Sequence, residues 1–377
     1  MNLLMVSGDR QVAVGEKGPF HSMQAEFSRY FGRIDVLCPR PDREPTVAVI
    51  HDNVYFHTAP CSRRHMPAWI ADEGSALIAA HDHKLIVSHD YGFFYNGVGS
   101  AFLMRKTGVP YLSELHHVPG YPIAVGLRER IDRLAARVYV RWARKQAAAF
   151  RVVNTEQMPE LLRRWGVPEG RIMVLPSQYI DFTVFRPAPK PVPARYDLCF
   201  VGRMVANKRV DCIMKAMAVC AGEGQPLRAV FVGRGELRDR WKAQGERLGV
   251  DCTWIEWVDE PSDLADIYRE SRSVVCASTC EGGPRYTVEA MACGVPAVST
   301  PVGVMGDLLG DGSCGALVGF DEYSLAAGLK RVLENEQSRL TLGQRAIDVC
   351  EPYEYARALK VYANGLRGLA GEPEMDL

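Results

Sequence analysis

A regular alternation of short apolar segments with longer amphipathic segments runs through the chain and is interrupted once. The interruption is R-P-A-P-K-P-V-P-A-R (186–195), where four prolines in ten residues exclude a helix or a central strand and indicate a stiff linker. Strands that alternate with amphipathic helices are typical of parallel α/β units. Since 377 residues are too many for one core of ordinary size, the sequence predicts two Rossmann-like α/β domains joined by a hinge.

The predicted strands form two series, one on each side of a hinge at 187–195. The first series lies at 2–6, 33–38, 46–50, 84–88, 109–114, 150–154 and 172–175. The second lies at 197–202, 228–233, 252–256, 273–277 and 296–299. We therefore predict an N-terminal domain over 1–186 and a C-terminal domain over 196–352, followed by a helix at 353–366 whose apolar spacing is helical.

Charge and cysteine content exclude several classes of protein. The 45 basic and 45 acidic residues leave no basic excess, so we do not expect a nucleic-acid partner. Eleven cysteines without a C-x-x-C pair predict reduced thiols. No signal peptide is recognisable at the start, and no apolar run approaches the roughly 20 residues of a membrane span. We expect a cytoplasmic protein, soluble or at most peripheral on the inner face of a membrane.

The segment with the clearest chemistry is E-G-G-P-R-Y-T-V-E, in which seven residues separate Glu281 from Glu289. Gly282, Gly283 and Pro284 suit a loop that leads into a helix, so we predict Glu289 about one turn inside that helix. Helix N-termini bind phosphate, and carboxylates accept hydrogen bonds from sugar hydroxyls. The combination suits a nucleotide diphosphate sugar. The alternative is two ordinary surface glutamates near a helix N-terminus.

A pair of cations follows the first strand of the second series, in L-C-F-V-G-R-M-V-A-N-K-R (198–209). Arg203 and Lys208 lie five residues apart in a loop that opens a helix, so both are placed to reach one diphosphate. The alternative is a solvated strand-to-helix turn. In the next βα turn, A-V-F-V-G-R-G-E-L-R (229–238) has G-x-G without the third glycine of a dinucleotide fingerprint, which is weak evidence for NAD.

The stretch from Val274 to Thr300 resembles the E-x7-E signature of retaining glycosyltransferases with the two-domain GT-B architecture, in particular the large family four. The V-G-R-x(4)-K motif at 201–208 and the pre-hinge segment 175–187 are similar to this family as well. Three departures stand out: E-G-G-P-R where many members have E-G-F-G, Arg209 where glycine is usual, and Ser177-Gln178 where Asn-Gly is common. The resemblance covers the hinge and nearly all of the second domain, and is weaker in the first.

The resemblance implies further roles. It puts His116, in V-P-Y-L-S-E-L-H-H (109–117), at the histidine that faces the transferred sugar, although a polar pair that closes a strand is the alternative. Val258 matches a position whose backbone contacts the base, and the terminal helix (353–377) crosses back onto the first domain. Gly18 is the backbone expected near the donor phosphate, or else a turn glycine. The predicted catalytic residues are His116 and Glu281, and the predicted donor-binding residues are Gly18, Arg203, Lys208, Val258, Glu281, Gly282, Gly283 and Glu289.

Two features concern metals and membranes. H-D-H (81–83) and H-D (89–90) invite a metal site, but no H-E-x-x-H spacing supports one and the chain has no D-x-D, so we predict no metal and no cofactor. The co-substrate is then a nucleotide diphosphate sugar, for example a UDP- or GDP-sugar. Residues 127–151 carry eight basic and two acidic residues. The pattern of these residues predicts a basic amphipathic helix. Such a helix either contacts anionic lipid or, as we favour, is a solvated helix of the acceptor domain.

The predicted function is the retaining transfer of a hexose-type sugar from a nucleotide diphosphate sugar to a saccharide, lipid-linked or small-molecule acceptor bound by the first domain. Two alternatives remain open at this point. One is a nucleotide-sugar epimerase or hydrolase of the same fold, and the other is an inactive subunit that binds sugar nucleotides.

Overall fold

The computed structural model describes residues 1–376, and its strands form two separate sheets. The strands of the first sheet are β1 (Asn2–Val6), β2 (Arg33–Cys38), β3 (Val49–Ile50), β4 (Val54–Thr58), β5 (His83–His89), β6 (Tyr111–Glu114), β7 (Ala149–Val152) and β8 (Ile172–Val174). Their order is β3-β4-β2-β1-β5-β6-β7-β8, and every neighbouring pair is parallel except β3 with β4.

The strands of the second sheet are β9 (Tyr196–Val201), β10 (Arg228–Val232), β11 (Asp251–Ile255), β12 (Ser271–Cys276), β13 (Ala297–Ser299) and β14 (Gly315–Leu317). Their order is β11-β10-β9-β12-β13-β14, with all neighbours parallel. The predicted architecture of two Rossmann-like α/β domains is therefore confirmed.

Helices connect the parallel strands, except that the segment containing β3 joins β2 to β4. In chain order they are α1 (Pro19–Tyr30), α2 (Met66–His81), α3 (Tyr95–Thr107), α4 (Leu127–Ala143), α5 (Gln157–Arg164), α6 (Val210–Gly222), α7 (Arg238–Leu248), α8 (Pro261–Arg269), α9 (Arg285–Ala292), α10 (Met305–Leu309), α11 (Glu322–Leu333), α12 (Glu336–Cys350) and α13 (Tyr355–Leu369). Glu289 lies one turn inside α9, where the Gly-Gly-Pro sequence predicts it.

Helix α13 packs on the first domain. Its buried side chains Leu359, Tyr362 and Leu366 share an apolar cluster with Phe27 and Tyr30 of α1. A second cluster covers the opposite face of the first sheet, and a third fills the second domain. The first domain thus completes its core with a helix that follows the whole second domain in the chain.

The change from one core to the next comes earlier than the predicted hinge at 187–195. Leu175 is buried in the first domain, whereas Ile180 and Phe185 are buried in the core of the second. Pro187 and Pro191 line a surface cavity together with residues of α12. The proline-rich segment therefore lies along the second domain, and the crossing between the cores falls between 175 and 180.

The N-terminal sheet also differs from the prediction near residue 50. The predicted strand at 46–50 is only the short edge strand β3, while β4, which was not predicted, is the parallel neighbour of β2 on the side away from β1. His51 and Asp52 adopt φ values of 49° and 65°, so the chain reverses there in a tight turn. In the second sheet, β14 was likewise not predicted.

Both sheets change winding direction beside their first strand, between β1 and β5 and between β9 and β12. In open parallel sheets the crevice at the carboxyl ends of such strands is the usual ligand site. The two crevices meet in this molecule. The Ile123 amide donates a 3.4 Å hydrogen bond to the Thr279 carbonyl, and the Cys280 thiol donates a 3.2 Å bond to the Val118 carbonyl.

Candidate active site in the interdomain cleft

Lys208 and Glu281 form the centre of the site in the second domain. Lys208 ends a short 3-10 turn that follows β9, and Glu281 lies in the loop after β12. The Lys208 ammonium donates a hydrogen bond to the Glu281 carboxylate, which also accepts one from the Ser278 hydroxyl at 3.0 Å. Both side chains are largely buried, so the lysine charge is fixed at the carboxyl end of the second sheet.

The residues on either side of Lys208 complete this turn. Arg209 adopts the left-handed conformation, with φ 50° and ψ 40°. Only glycine does so without steric cost, which accounts for the glycine that is usual here in the family that the sequence resembles. Arg203, just past Gly202, is exposed and forms no ion pair within residues 1–376. Its guanidinium is therefore available to an anion.

Glu289 is buried between two partners. Its carboxylate accepts hydrogen bonds from Arg285 Nε at 2.8 Å and from the Tyr268 hydroxyl at 3.1 Å. Burial raises the pKa of Glu289, while the Arg285 charge and the two hydrogen bonds oppose that rise. Arg285, to which the sequence assigned no role, thus helps to keep the carboxylate ionised and able to accept hydrogen bonds.

Gly282 and Gly283 both make close contacts with residues outside their own loop. A Cβ on Gly282 would lie 2.9 Å from the His116 carbonyl oxygen, and one on Gly283 would lie 2.5 Å from Gln178 Nε2. Gln178 donates a 2.8 Å hydrogen bond to the Gly283 carbonyl. Two of the departures from the family pattern therefore touch each other. The glutamine occupies the space that a side chain at 283 would need.

The first domain presents two adjacent histidines to the cleft. His116 Nε2 is 3.8 Å from Glu114 Oε2 and 3.4 Å from Arg151 Nη1, so this ring turns back toward its own sheet. His117, in contrast, lies close enough to the second domain for charged groups of that domain to affect its imidazole. Loss of solvent lowers the pKa of His117, the nearby Glu281 carboxylate raises it, and Lys208 and Arg203 lower it further. The sequence argument singled out His116 and gave His117 no role.

A cavity of about 200 Å³ lies beside these histidines in the first domain. His89, Asp90, Glu114, His116 and His117 contribute polar groups to its wall. The Asp90 carboxylate accepts 2.6 Å hydrogen bonds from the hydroxyls of Ser88 and Tyr139, and burial raises its pKa to about 7. Burial also lowers the pKa of His89 to about 4. Burial thus favours the neutral forms of Asp90 and His89, whereas Glu114 in the same wall is ion-paired with Arg151.

The surroundings of Gly18 and Val258 belong to other cavities. Gly18 precedes α1 in an extended conformation, and its neighbour Lys17 lines a cavity of about 690 Å³ together with Arg285 and Tyr179. Val258 lines a separate cavity of about 380 Å³, which is surrounded by carboxylates of the second domain. The structure therefore brings Arg203, Lys208, Glu281 and Gly282 close to His116 and His117, and places Lys17, next to Gly18, and Val258 in two other cavities.

Two family models match the chain. Residues 20–178 match the family described as Glycosyl transferase 4-like domain, and residues 181–349 match Glycosyl transferases group 1. The boundary between the two matches coincides with the passage from one core to the other. The chain is also 28% identical to D-inositol 3-phosphate glycosyltransferase 1 of Catenulispora acidiphila, over 95% of this chain and 94% of that protein.

Solved structures share the fold over both domains. Sucrose-phosphate synthase of Thermosynechococcus elongatus aligns with a TM-score of 0.81 at 18% identity, over 98% of this chain and 99% of the other. HepE of Anabaena in complex with UDP-glucose aligns with a TM-score of 0.72 at 19% identity, over 98% of this chain and all of the other.

Proposed function

Because the chain belongs to the family-four glycosyltransferases of GT-B fold, we propose that it moves a hexose-type sugar, with retention of anomeric configuration, from a nucleotide diphosphate sugar to an acceptor hydroxyl. The observation that carries the proposal is the convergence at one cleft of Arg203, Lys208 and Glu281 with His116 and His117. Cations for a diphosphate, carboxylates for hydroxyls and histidines on the facing wall suit this ligand.

The proposed reaction proceeds on one face of the donor sugar. The bond from the anomeric carbon to the phosphate oxygen breaks, a bond to the acceptor oxygen forms, and the acceptor proton passes to the departing diphosphate. Arg203 and Lys208 stabilise the charge that grows on that diphosphate. Glu281 holds donor-sugar hydroxyls and Glu289 holds the ribose. The facing histidine positions the anomeric carbon against the acceptor.

The acceptor is proposed to enter the cavity beside His116 and His117 in the first domain. The carboxyl and imidazole groups of the cavity wall suit a polyhydroxylated acceptor such as a saccharide or a cyclitol. Similarity to a structure that contains UDP-glucose makes UDP-glucose the first donor to test. We propose that neither a metal nor another cofactor takes part, so transfer is expected to continue in excess EDTA.

A Glu289→Gln variant tests this function through the donor. We expect wild-type enzyme to release nucleoside diphosphate from one of the UDP-, GDP- or ADP-sugars only when acceptor is present, with the product anomer assigned by NMR. The variant should raise the donor KM by about 10- to 100-fold, since it loses a charge-assisted contact to the ribose. Glu334→Gln, at an exposed position, is the matched control. Donor turnover without acceptor would instead indicate a hydrolase or an epimerase, and nucleotide binding without any turnover an inactive subunit.

We also propose that α4 contacts an anionic membrane surface. Its side chains Leu127, Ile131, Leu134 and Val138 are 73%, 55%, 59% and 61% exposed. Their spacing puts them on one face, away from the core, with Arg130, Arg137 and Arg141 along one side. An exposed apolar stripe edged by cations fits a bilayer interface better than bulk water. Within residues 1–376, no helix has the length and hydropathy needed to cross a bilayer.

Vesicle sedimentation tests the α4 contact. Wild-type protein should bind vesicles of phosphatidylcholine with phosphatidylglycerol, and Leu134→Gln/Val138→Gln should lower the partition coefficient by roughly tenfold, because two apolar side chains leave the bilayer. Leu340→Gln, an exposed leucine on α12, should have no effect. Equal binding by wild type and the double variant would show that α4 is an ordinary solvated helix.

A further inference from the structure

A second cavity of the first domain contains three arginines. It has a volume of about 220 Å³ and lies at the carboxyl end of the first sheet. Arg10 follows β1, Arg63 precedes α2 and Arg128 lies in the first turn of α4. The fold thus gathers guanidinium groups from three distant parts of the chain around one space.

Few acidic groups of the protein neutralise the charges of these three arginines. Arg63 and Arg128 form no ion pair and no side-chain hydrogen bond within residues 1–376. Arg10 pairs at 3.2 Å with Asp42, whose side chain is 92% exposed, and such a pair contributes little and exchanges readily. Cations that share one cavity repel each other, so an anion bound between them gains from all three. The planar fork of arginine matches the oxygens of phosphate in particular.

The cavity is adjacent to the proposed acceptor cavity. Tyr91 and Gly92 line both. The Tyr91 ring lies directly on Gly8, because a Cβ built on Gly8 would fall 1.1 Å from the tyrosine hydroxyl oxygen. The glycine therefore lets the tyrosine form the wall between the two spaces. A ligand that places a hydroxyl beside His116 in the first cavity can extend past Tyr91 into the second.

We propose that Arg10, Arg63 and Arg128 bind a phosphate group carried by the acceptor. The inference rests on the proposed function in one respect, namely that the neighbouring cavity receives the acceptor hydroxyl. Two sources offer this chemistry: a soluble phosphorylated sugar or cyclitol, and the phosphate of a lipid headgroup presented at the α4 surface. Recognition of the phosphate itself is the same in both cases.

Titration calorimetry at low ionic strength with inorganic phosphate and with glycerol 3-phosphate tests the site. Arg10→Gln/Arg63→Gln/Arg128→Gln should weaken the binding of both probes by at least roughly tenfold, because charge-assisted contacts are lost. The control is Arg240→Gln/Arg247→Gln/Arg345→Gln, which removes the same charge from exposed positions of the second domain. It should bind both probes like the wild type. Equal weakening in the two triple variants, or none in the first, would overturn the proposal.

Vesicles distinguish the two sources. If the acceptor is lipid-linked, vesicles that contain phosphatidylglycerol should compete with glycerol 3-phosphate for the wild type, whereas phosphatidylcholine vesicles should not. If it is soluble, neither should compete, and the arginine dependence of glycerol 3-phosphate binding still supports the site. UDP binding, measured by thermal shift, reports on the donor site separately. It should be unchanged in Arg10→Gln/Arg63→Gln/Arg128→Gln. Failure of the proposed function would appear as absent binding of UDP, GDP and ADP by the wild type, whatever the phosphate result.

Discussion

Lys208→Ala is expected to lower kcat/KM for sugar transfer by about 10²- to 10³-fold, because the lysine supplies a fixed positive charge to the leaving diphosphate. Its ion pair with Glu281 holds that charge at the end of β9 before the donor arrives. Most of the loss should fall on kcat, since the charge on the diphosphate is greatest once the bond to the sugar has broken. Initial rates of nucleoside diphosphate release over a range of donor concentrations measure both parameters.

The control for this variant is Lys215→Ala, which removes a lysine of α6 that forms no ion pair within residues 1–376. It should retain nearly full activity. Circular dichroism should show that Lys208→Ala remains folded. If Lys208→Ala raised only KM and left kcat unchanged, the lysine would bind the ground state and transition state equally, and the proposed role would be wrong.

Arg151→Met is expected to destabilise the first domain by about 3–5 kcal/mol, the cost of leaving a buried charge without its partner. Arg151 and Glu114 are 2% and 1% exposed and form a 2.9 Å ion pair. The Arg151 guanidinium also stacks on the Tyr362 ring at 3.5 Å and donates to the Pro176 carbonyl, while the Tyr362 hydroxyl donates to Glu114. Urea unfolding measures the loss as a lower midpoint at constant slope.

The pH dependence of this loss identifies its cause. Burial alone would raise the pKa of Glu114, but Arg151, His89 and His116 hold it well below its usual range. In the wild type this stabilisation is therefore present above the unfolded pKa and is lost as the pH falls through the folded value. In Arg151→Met the carboxylate keeps its burial without its cation, so its pKa should rise. Protonation of Glu114 then removes the unpaired buried charge. The difference in free energy of unfolding between the variant and the wild type should therefore decrease toward pH 4.

Two further variants complete the test. Glu114→Gln/Arg151→Met should recover much of the stability, because it removes both charges together. Arg163→Met, which breaks the exposed ion pair with Glu169, should cost less than about 1 kcal/mol. A loss in Arg151→Met that is independent of pH and unchanged in the double variant would point to lost packing on Tyr362 instead.

The parts of the fold that follow from local sequence were predictable. The apolar strands of both series and the start of α9 depend on hydrophobic runs and on glycine and proline, which act over a few residues. β4 was missed because V-Y-F-H-T follows the predicted strand at 46–50 after a very short turn, and one strand was assigned where the chain makes two. β14 is only three residues long, which is too short to show a period.

The site was predictable as a list of residues but not as a set of contacts. Lys208 and Glu281 stand seventy-three positions apart, and nothing local indicates that their side chains pair. Gln178 and Gly283 both depart from the family pattern, and they contact each other. The sequence does not show that these two positions are neighbours in the folded protein. The choice between His116 and His117 depends on the direction in which each ring leaves the strand end. The three arginines of the second cavity belong to no motif at all.

The return of α13 to the first domain imposes an order on synthesis. When β8 has left the ribosome, the first sheet is complete but the side chains of α1 that pack against Leu359, Tyr362 and Leu366 remain uncovered. The ion pair of Arg151 with Glu114 also lacks its aromatic cover. At 5–20 residues per second, this interval lasts on the order of tens of seconds. The second domain, whose sheet is contiguous in the chain, is thus able to fold first, and the nascent first domain exposes an apolar surface of the kind that chaperones bind.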